Sequence, residues 1–398
     1  MTLLIKQHPM LVLVLAPVLI VAVWFVIRSM EKVAPYQPPA DRDLSGWGTM
    51  DQETATRLES ALDADVNRLG VPGFQVSLQT ADGQTWYGVS GTVDPQRRVP
   101  LRRDHLMRIG SVTKTFVAVV ILQLVEEDRL SLDDKLARWF PQFPDADRIT
   151  IRDLLTHRSG IFNFLESPKV LASLFFSHYT WEAQALIDIA AESKSVYAPG
   201  ETYYYSNTNY VLLGLIAEQV TGEDSAALIR ERISTPLGLH DTYLVPNENA
   251  PEALVSGYDR DLIPLPGLFE NTPDNISIST AAYTSGAMIS TAEDLRIFYD
   301  GLFSGKLISP AMLKEMTTFL PATDSGTPQL TGYGLGLFRL EIGGEEVWAS
   351  LGEFIGSMTM VVYSPSQHDI VAIIGNLSLY DYVSVWENLT DVSRASLK

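Results

Sequence analysis

The residues of this sequence best suited to covalent chemistry are a serine and a lysine three positions apart, Ser111 and Lys114. Residues with this spacing on a helix share one face, one turn apart. Ser111 would lie at the helix start, where free backbone N–H groups and the helix dipole favour an oxyanion. Lys114 would lie in an almost wholly apolar helix, where desolvation favours a neutral amine that can accept the serine proton. The pair is therefore a candidate nucleophile and base.

The spacing alone does not decide the role of Ser111. Ser29 and Lys32 have the same spacing within a polar, proline-bearing stretch, where it has no chemical meaning. The apolar run after Ser111 indicates a buried helix. This context fits a catalytic serine and an ordinary helix N-terminus equally well, so both interpretations remain open at this point.

A tyrosine and an asparagine two positions apart, Tyr205 and Asn207, form a second candidate group. A turn after Pro199 and Gly200 would place them side by side. A phenol can pass a proton between nucleophile and leaving group, and an amide can hold a substrate carbonyl. The spacing alone favours a simpler interpretation, in which the tyrosines at positions 203–205 are loop aromatics that pack on the core.

Other residue types narrow the possible function. The sequence has no cysteine, which excludes disulfides, thiolate metal sites and a thiol nucleophile. Its 6 histidines show neither HExxH nor paired spacing, so no metal site is predicted. His157, in the segment THRSG, is interpreted as part of a structural loop. The absence of a G-x-S-x-G elbow speaks against an α/β-hydrolase.

Composition excludes some partners. The 398 residues are 46% hydrophobic and 19% charged, which is typical of a globular protein. The formal net charge of -19 argues against nucleic acid and against anionic lipid headgroups as partners, because both would be repelled.

The N-terminal region differs from the rest of the chain. After a short segment at 1–8, the run from Pro9 to Ile27 is wholly apolar, and about 20 apolar residues span a bilayer as a helix. Because no A-x-A-like cleavage site follows, residues 9–28 are predicted to be an uncleaved transmembrane signal anchor, with a cleaved signal peptide as the alternative. Residues 29–50, polar and proline-bearing, would form a linker, and residues 51–398 the folded domain.

Hydrophobic periodicity predicts strands at both ends of this domain and helices between them. The predicted elements are a helix at 51–69, a hairpin at 73–78 and 85–91, a helix at 112–128, a mostly helical region at 151–239, strands at 333–340, 346–349, 357–363 and 370–375, and a helix at 380–397. This order predicts an α+β fold, in which one antiparallel sheet is built from the N- and C-terminal segments, is flanked by helices and receives an inserted, mostly helical region.

Several segments, taken in order, resemble the serine β-lactamase and penicillin-binding protein family, which includes class C β-lactamase-like proteins, D-alanyl-D-alanine carboxypeptidases and esterases. The resemblance covers about residues 52–395. It is carried by VPG at 71–73, RIGSVTKTF at 108–116, LLTHRSG at 154–160, PG at 199–200, YSNTNY at 205–210, PLGL at 236–239, STAEDL at 290–295 and GYGLG at 332–336.

The resemblance implies a β-lactamase/transpeptidase-like fold and a role for each candidate residue. Ser111 would be the acylated serine, Lys114 its base, Tyr205 the proton relay and Asn207 a substrate contact. Neither a metal nor an organic cofactor is implied.

The third motif of the family is altered here. Members of the family usually place Lys or His, then a variable residue, then Gly on the strand that edges the site, and the equivalent positions are Ser350 to Gly352. The resemblance makes Ser350 and Gly352 substrate contacts, and the backbone N–H groups of Ser111 and Glu353 the oxyanion donors. Ser350 carries no charge and Glu353 adds a negative one, so we expect poor binding of a substrate carboxylate.

The sequence therefore predicts a membrane-anchored serine hydrolase that acts through an acyl-enzyme on a small-molecule or peptide substrate containing an ester or amide. The resemblance implies work on the cell envelope and places the domain in the periplasm or outside the cell, although the basic residues after the apolar run mildly oppose that orientation. Two alternatives remain open. One is a D-alanyl-D-alanine carboxypeptidase or penicillin-binding protein that acts on peptidoglycan. The other, suggested by the altered third motif, is a non-catalytic binding protein on the same fold.

Overall fold

The structure is a computed structural model that describes residues 35–38, 48–174, 179–245, 247–249, 251–259, 269–273, 275–324 and 326–395. The predicted anchor at 9–28 lies outside these residues. Within the described ranges, no helix is both long and apolar enough to cross a bilayer.

The described strands form sheets of eight, three and two strands. In chain order they are β1 (Gly73–Gln79), β2 (Thr85–Gly91), β3 (Met107–Arg108), β4 (Tyr243–Leu244), β5 (Gly257–Asp259), β6 (Phe269–Asn271), β7 (Met288–Ser290), β8 (Leu320–Pro321), β9 (Leu330–Tyr333), β10 (Phe338–Ile342), β11 (Glu345–Phe354), β12 (Ser357–Tyr363) and β13 (Ile370–Gly375).

Most of the α-helices lie between β2 and β8 in the chain. They are α1 (Gln52–Leu69), α2 (Thr113–Glu126), α3 (Ile151–Leu155), α4 (Pro168–Ser173), α5 (Ala183–Ala191), α6 (Asn207–Thr221), α7 (Ser225–Ile229), α8 (Thr235–Leu237), α9 (Ile276–Ala282), α10 (Ala292–Phe303), α11 (Pro310–Met316) and α12 (Tyr382–Ala395). Short 3-10 turns occur at Gly110–Val112, Leu136–Arg138, Phe164–Glu166 and Tyr283–Ser285, and a π turn at Arg230–Ser234.

The large sheet is antiparallel and joins both ends of the domain. Its strand order is β2-β1-β13-β12-β11-β10-β9-β8. The first strand, β1, pairs with the last, β13, with Val76 opposite Ile373. The N- and C-terminal segments therefore complete one sheet, and the predicted α+β fold with an inserted helical region is confirmed.

Each face of the sheet is covered by helices. On one face α1 and α12 pack together, and one stripe of α1, formed by Leu58, Leu62 and Val66, is fully buried. Helix α1 begins where the Asp51 side chain accepts the Thr54 N–H at 2.9 Å, which is a typical N-cap. The other face packs against α10 and the helical region, whose central member is α2.

Helix α2 is buried on all sides, as its composition predicts. Phe116, Val119 and Ile121, which point in different directions around the helix, are each 0% exposed. A helix of this kind cannot face solvent and must lie in the middle of the domain. The residues at its first turn are thereby held inside the protein.

The C-terminal strands differ in their bounds from the prediction. The segment predicted as one strand at 333–340 contains the end of β9, a turn and the start of β10. Gly336 in that turn has a φ of 87°, a conformation that favours glycine and interrupts a strand. Strand β11 is longer than predicted and continues past Ala349 to Phe354, which brings the altered third motif into the sheet.

The described parts of the predicted linker lie on the domain. Tyr36 is 8% exposed, and its backbone N–H donates to the Asn67 side chain of α1 at 2.7 Å. The Thr49 N–H donates to the Thr85 carbonyl at 2.8 Å. Tyr36 and Thr49 therefore contact the folded domain, where burial stabilises the Tyr36 ring, and the assignment of residues 29–50 as a linker stays a prediction.

Candidate active site

Ser111 lies in the 3-10 turn Gly110–Val112, directly before α2. Thr113, the first residue of α2, closes this turn. Its hydroxyl donates to the Gly110 carbonyl at 2.7 Å and accepts the Met288 N–H at 3.1 Å. Ser111 is thus held at the positive end of a helix of 14 residues, where negative charge is stabilised.

The side chain of Lys114 is 1% exposed, and its Nζ is surrounded by oxygen atoms. Nζ lies 2.8 Å from Ser111 Oγ, 2.8 Å from Asn207 Oδ1 and 2.6 Å from the Ser285 carbonyl oxygen. The amide and carbonyl oxygens can only accept hydrogen bonds. A neutral amine can donate its two N–H bonds to them and direct its lone pair at the Ser111 hydroxyl. The two acceptors therefore orient the amine towards the Ser111 hydroxyl.

Tyr205 also lies beside Ser111. Its phenol hydrogen-bonds the Ser111 side chain. The Lys114 Nζ lies 4.8 Å from the centre of the Tyr205 ring. The structure therefore brings Ser111, Lys114 and Tyr205 together, although Tyr205 follows Ser111 by more than 90 residues in the chain.

The pKa values of the two proton-transfer groups move in opposite directions. Burial lowers the pKa of Lys114 well below its ordinary value of 10.5. Burial raises the pKa of Tyr205 above 10.0, against the lowering effect of the hydrogen bond with Ser111, and the charges of Glu353 and Asp324 raise it further. The amine therefore loses its proton far more readily than the phenol, so Lys114 is the candidate base and Tyr205 remains a neutral phenol.

The Asn207 side chain orients the Lys114 amine. Its Oδ1 accepts from Nζ, while its Nδ2 and its backbone N–H donate to Asn163 Oδ1 at 3.3 and 3.2 Å. Asn163 thus fixes which way the Asn207 amide points. One N–H of Nδ2 is left for a substrate, so contact between Asn207 and a substrate carbonyl remains a proposal.

His157 packs beneath Tyr205. The two ring centroids are 4.2 Å apart, and the imidazole is fully buried. Its Nδ1 accepts the backbone N–H of Ser206 at 3.1 Å, which places the proton of the neutral ring on Nε2. Burial, and secondly the charge of Lys114, lower the pKa of His157 well below 6.5. His157 therefore stays neutral and supports the residue that follows Tyr205.

The backbone of β11 runs beside the nucleophile. A two-residue hairpin pairs Phe354 with Ser357, and the register continues with Gly352 opposite Thr359. Because hydrogen-bonded pairs alternate in an antiparallel ladder, the N–H of Glu353 points away from β12. It points towards the turn that carries Ser111, since a Cβ built on Gly110 would lie 2.9 Å from the Glu353 nitrogen.

Gly352 permits this close approach. A Cβ at this position would lie 2.0 Å from the Ile109 carbonyl oxygen, far inside van der Waals contact. Only glycine therefore lets β11 lie against the nucleophile turn. This geometry supports the predicted pair of oxyanion donors, the N–H groups of Ser111 and Glu353.

The structure does not place Ser350 with the other site residues. Ser350 is 2% exposed, and its hydroxyl accepts from the Tyr299 phenol at 2.6 Å and hydrogen-bonds the Thr115 hydroxyl. Thr115 in turn donates to the Gly336 carbonyl at 2.9 Å. The substrate contact that the sequence suggested for Ser350 is therefore corrected, because a hydroxyl engaged with two core hydroxyls cannot reach a substrate.

A family model described as Beta-lactamase matches residues 57–382, which include all of the residues placed above. The chain belongs to the Beta-lactamase family. This family membership agrees with the resemblance seen in the sequence, and the sheet completed by both termini is its fold.

Relatives of this β-lactamase-family protein carry different activities in their names. Penicillin-binding protein 4* of Bacillus subtilis (strain 168) is 30% identical over 56% of this chain and 50% of its own length. Esterase EstB of Burkholderia gladioli is 31% identical over 49% of this chain and 52% of its own length. The chain spans about half the length of these curated relatives. A crystal structure of D-amino acid amidase from Ochrobactrum anthropi SV3 is similar with a TM-score of 0.79 and 29% identity, over 87% of this chain and 100% of that one.

Two groups of this β-lactamase-family site were missed by the sequence analysis. The Ser285 carbonyl is a backbone group, and its position cannot be inferred from the residue types in the sequence. Asn163 lies in the segment that follows THRSG, and its amide acts through Asn207. The only signal in the sequence was a polar residue in an otherwise aromatic stretch.

Among the described residues, no group of His, Cys, Asp and Glu could hold a metal ion.

Proposed function

We propose that this protein is a serine hydrolase that cleaves an ester or amide through an acyl-enzyme on Ser111. The observation that carries the proposal is the 2.8 Å contact between Lys114 Nζ and Ser111 Oγ. It occurs where burial lowers the pKa of the amine and two further acceptors fix its direction. A lysine held in this way is a base for a hydroxyl.

The first step forms the acyl-enzyme. Lys114 takes the hydroxyl proton as Ser111 Oγ attacks the carbonyl carbon of the substrate. The oxygen of that carbonyl becomes negative and is stabilised by the N–H groups of Ser111 and Glu353. When the tetrahedral intermediate collapses, the bond to the leaving alcohol or amine breaks, and the Tyr205 phenol gives that group its proton. Tyr205 regains a proton from Lys114.

The second step repeats this chemistry with water. Lys114, again neutral, or Tyr205 acting with it, removes a proton from a water molecule that attacks the acyl carbon. The same N–H groups stabilise the second oxyanion. The bond to Ser111 Oγ then breaks, the serine recovers its proton, and a carboxylic acid is released.

The substrate proposed here lacks a carboxylate next to the scissile bond. The position that supplies a cation in the family is the buried Ser350, and the next charged side chain on β11 is the anionic Glu353. A carboxylate would meet repulsion and no charge-assisted bond. The names of the amidase and the esterase support an amide or ester substrate. The same observations weigh against a carboxypeptidase, and the assembled Ser111, Lys114 and Tyr205 weigh against a non-catalytic binding protein.

Labelling by a fluorophosphonate, which reacts with activated serines, tests the proposal. We expect the wild-type protein to be labelled and to hydrolyse short-chain p-nitrophenyl esters, and Ser111→Ala to lose both properties. Ser60→Ala, at an exposed position of α1, is the matched control and should behave as the wild type. Full ester hydrolysis by Ser111→Ala, or absence of labelling and turnover in the wild type over a broad ester and amide panel, would refute the proposal.

We also infer that residues 9–28 anchor the protein in a membrane, with the catalytic domain on the periplasmic or extracellular side. The wholly apolar run from Pro9 to Ile27 supports this inference. In fractionated cells, the full chain should sediment with membranes and resist extraction by high salt, whereas a chain that starts at residue 35 should not. Recovery of the full chain in the soluble fraction would contradict the anchor.

A further inference from the structure

Glu353 contributes two features to the site, a backbone N–H beside the turn that carries Ser111 and a negative charge that acts on Tyr205. Its N–H is the second oxyanion donor of the proposed function, so the substrate carbonyl must lie beside it. The carbonyl oxygen of Glu353 is also close to the nucleophile turn, 2.5 Å from the position of a Cβ on Gly110. An acyl group on Ser111 would therefore lie beside the backbone of Glu353.

The charge of the Glu353 side chain reaches the site. Successive side chains of a strand alternate between faces, so Glu353 shares a face with Leu351. Leu351 packs with the same apolar group as Tyr205. The side chain of Glu353 is exposed to solvent, and its charge acts on the phenols of Tyr205 and Tyr382.

The negative charge of Glu353 lacks a cationic partner in the described part of the chain. No Lys, Arg or His there forms an ion pair with its carboxylate, and desolvation, followed by repulsion from Asp259, raises its pKa. The exposed carboxylate of Asp324 acts on the Tyr205 phenol as well. Lys114 cannot serve as the counter-charge, because its amine is needed in the neutral form.

We propose that Glu353 selects acyl donors that carry a protonated amine near the scissile carbonyl, such as aminoacyl esters and aminoacyl amides. The inference rests on the proposed function and deepens it by naming the substrate class. A substrate ammonium would supply the missing positive charge at the edge of β11, where the carboxylate can accept a charge-assisted hydrogen bond. The altered third motif then has one explanation. The family's cationic residue, which binds a substrate anion, is replaced by Ser350, and the nearby anionic Glu353 binds a substrate cation instead.

The test compares each substrate with its N-acetylated form on the same enzyme. The probes are the p-nitroanilides and methyl esters of D- and L-phenylalanine, with a free or an acetylated amine, and the readout is the ratio of their kcat/KM values. We expect the wild type to favour the free amine. Glu353→Gln should shrink this ratio about ten- to a hundredfold, which is the usual effect of a hydrogen bond to a charged group. Glu341→Gln, which removes an exposed carboxylate from the neighbouring strand β10, should leave the ratio unchanged.

A measurement on the wild type supports the test without any variant. The ratio should fall as pH rises through the pKa of the substrate amine, about 7.7–8.0 for an α-amino group, because the neutral amine loses its attraction to Glu353. Any titration of Lys114 affects both substrates of a pair and cancels in the ratio. The ratio of the two kcat/KM values should also fall with added salt, because salt screens the attraction between the substrate amine and Glu353.

Preference for the acetylated substrate, or a ratio that Glu353→Gln and pH both leave unchanged, would overturn the role of Glu353. Hydrolysis of the acetylated ester and labelling of Ser111 report on the proposed function separately. They would persist if only the inference about Glu353 were wrong, and both would be missing if the hydrolase proposal itself were wrong.

Discussion

The candidate active site has two sides, a helical side around α2 and α6 and a strand side formed by β11, and their polar groups are arranged differently. On the helical side, Ser111 hydrogen-bonds both Lys114 and Tyr205, and Asn207 and the Ser285 carbonyl fix the amine. On the strand side, β11 contributes backbone N–H groups and a glycine. Its one side chain in the family's cationic position, Ser350, is turned into the core.

This difference separates chemistry from recognition. Proton transfer requires donor and acceptor at hydrogen-bond distance with matched pKa values, so few substitutions preserve it. The contact that binds a substrate's charged group can change whenever the substrate changes, because the reaction at the carbonyl is the same. The helical side therefore keeps the family pattern, and we expect the strand side to determine which substrate binds.

Removal of Lys114, the candidate base, is the most direct test of the view that the helical side performs the chemistry. Lys114→Met keeps the length and apolar volume of the side chain and deletes the amine. We expect kcat to fall about 10²- to 10⁴-fold, the usual contribution of a positioned general base, with a much smaller change in KM. Lys135→Met, at an exposed lysine, is the matched control. Steady-state kinetics with an ester substrate measure both, and a Lys114→Met enzyme with normal kcat would assign the base elsewhere.

The same lysine predicts a pH dependence of known sign. Because the pKa of Lys114 lies well below 10.5 in the folded protein, kcat/KM should rise as pH increases through that lowered value. Between the lowered pKa and 10.5 the unfolded chain binds one more proton than the folded protein, so the free energy of unfolding rises with pH across that window. Urea unfolding at several pH values should show a smaller rise for Lys114→Met. An equal rise in both proteins would contradict a depressed pKa.

On the strand side, the largest effect is expected from Gly352→Ala. The added Cβ would meet the Ile109 carbonyl at 2.0 Å, so β11 must move away from the nucleophile turn. A shift of about 1 Å can cost about a hundredfold in rate, and overpacking typically costs about 1–3 kcal/mol of stability. Kinetics and urea unfolding measure the two effects. Gly326→Ala, whose Cβ would lie 3.4 Å from Asp324 Oδ1, should show neither. A fully active Gly352→Ala would mean that the oxyanion site does not need this strand.

The parts that the sequence could predict are those with local signals. The apolar periodicity of α1 and the all-apolar run of α2 depend on neighbouring residues, and each helix occurs where its pattern indicates. The joining of both termini in one sheet followed from the order of strands and helices. Ser111 and Lys114 could be paired because one helical turn determines their distance.

The parts that could not be predicted depend on contacts between distant segments. The Ser350 hydroxyl is taken up by Tyr299 of α10, 51 residues earlier, and nothing near Ser350 in the sequence announces that partner. The Ser285 carbonyl, 171 residues from Lys114, has no side-chain signature at all. The support that His157 gives to Tyr205 and Ser206 likewise depends on how loop and helix meet.

His157→Phe tests whether the helical side needs its buried support. Phenylalanine keeps an aromatic ring under Tyr205 and loses the Nδ1 acceptor of the Ser206 N–H. Leaving that buried N–H unpaired should lower kcat about tenfold through misplacement of Tyr205, with KM almost unchanged. His157→Asn, whose side-chain oxygen can accept a hydrogen bond, should recover part of the rate. Equal losses of kcat in both variants, in proportion to their unfolding, would reduce His157 to a purely structural residue.

Ser350→Ala should have the smallest effect on catalysis. It tests whether Ser350 of the strand side is a core residue or a substrate contact. The substitution leaves the buried Tyr299 phenol and Thr115 hydroxyl without their shared partner, so we expect the free energy of unfolding to fall by about 1–2 kcal/mol. KM for an ester should stay within about twofold of the wild-type value, as for a substitution outside the binding site. Ser304→Ala, at an exposed position, should change neither quantity. A raised KM with unchanged stability would instead mean that Ser350 contacts the substrate, and the strand side would then keep more of the family's recognition than its charges indicate.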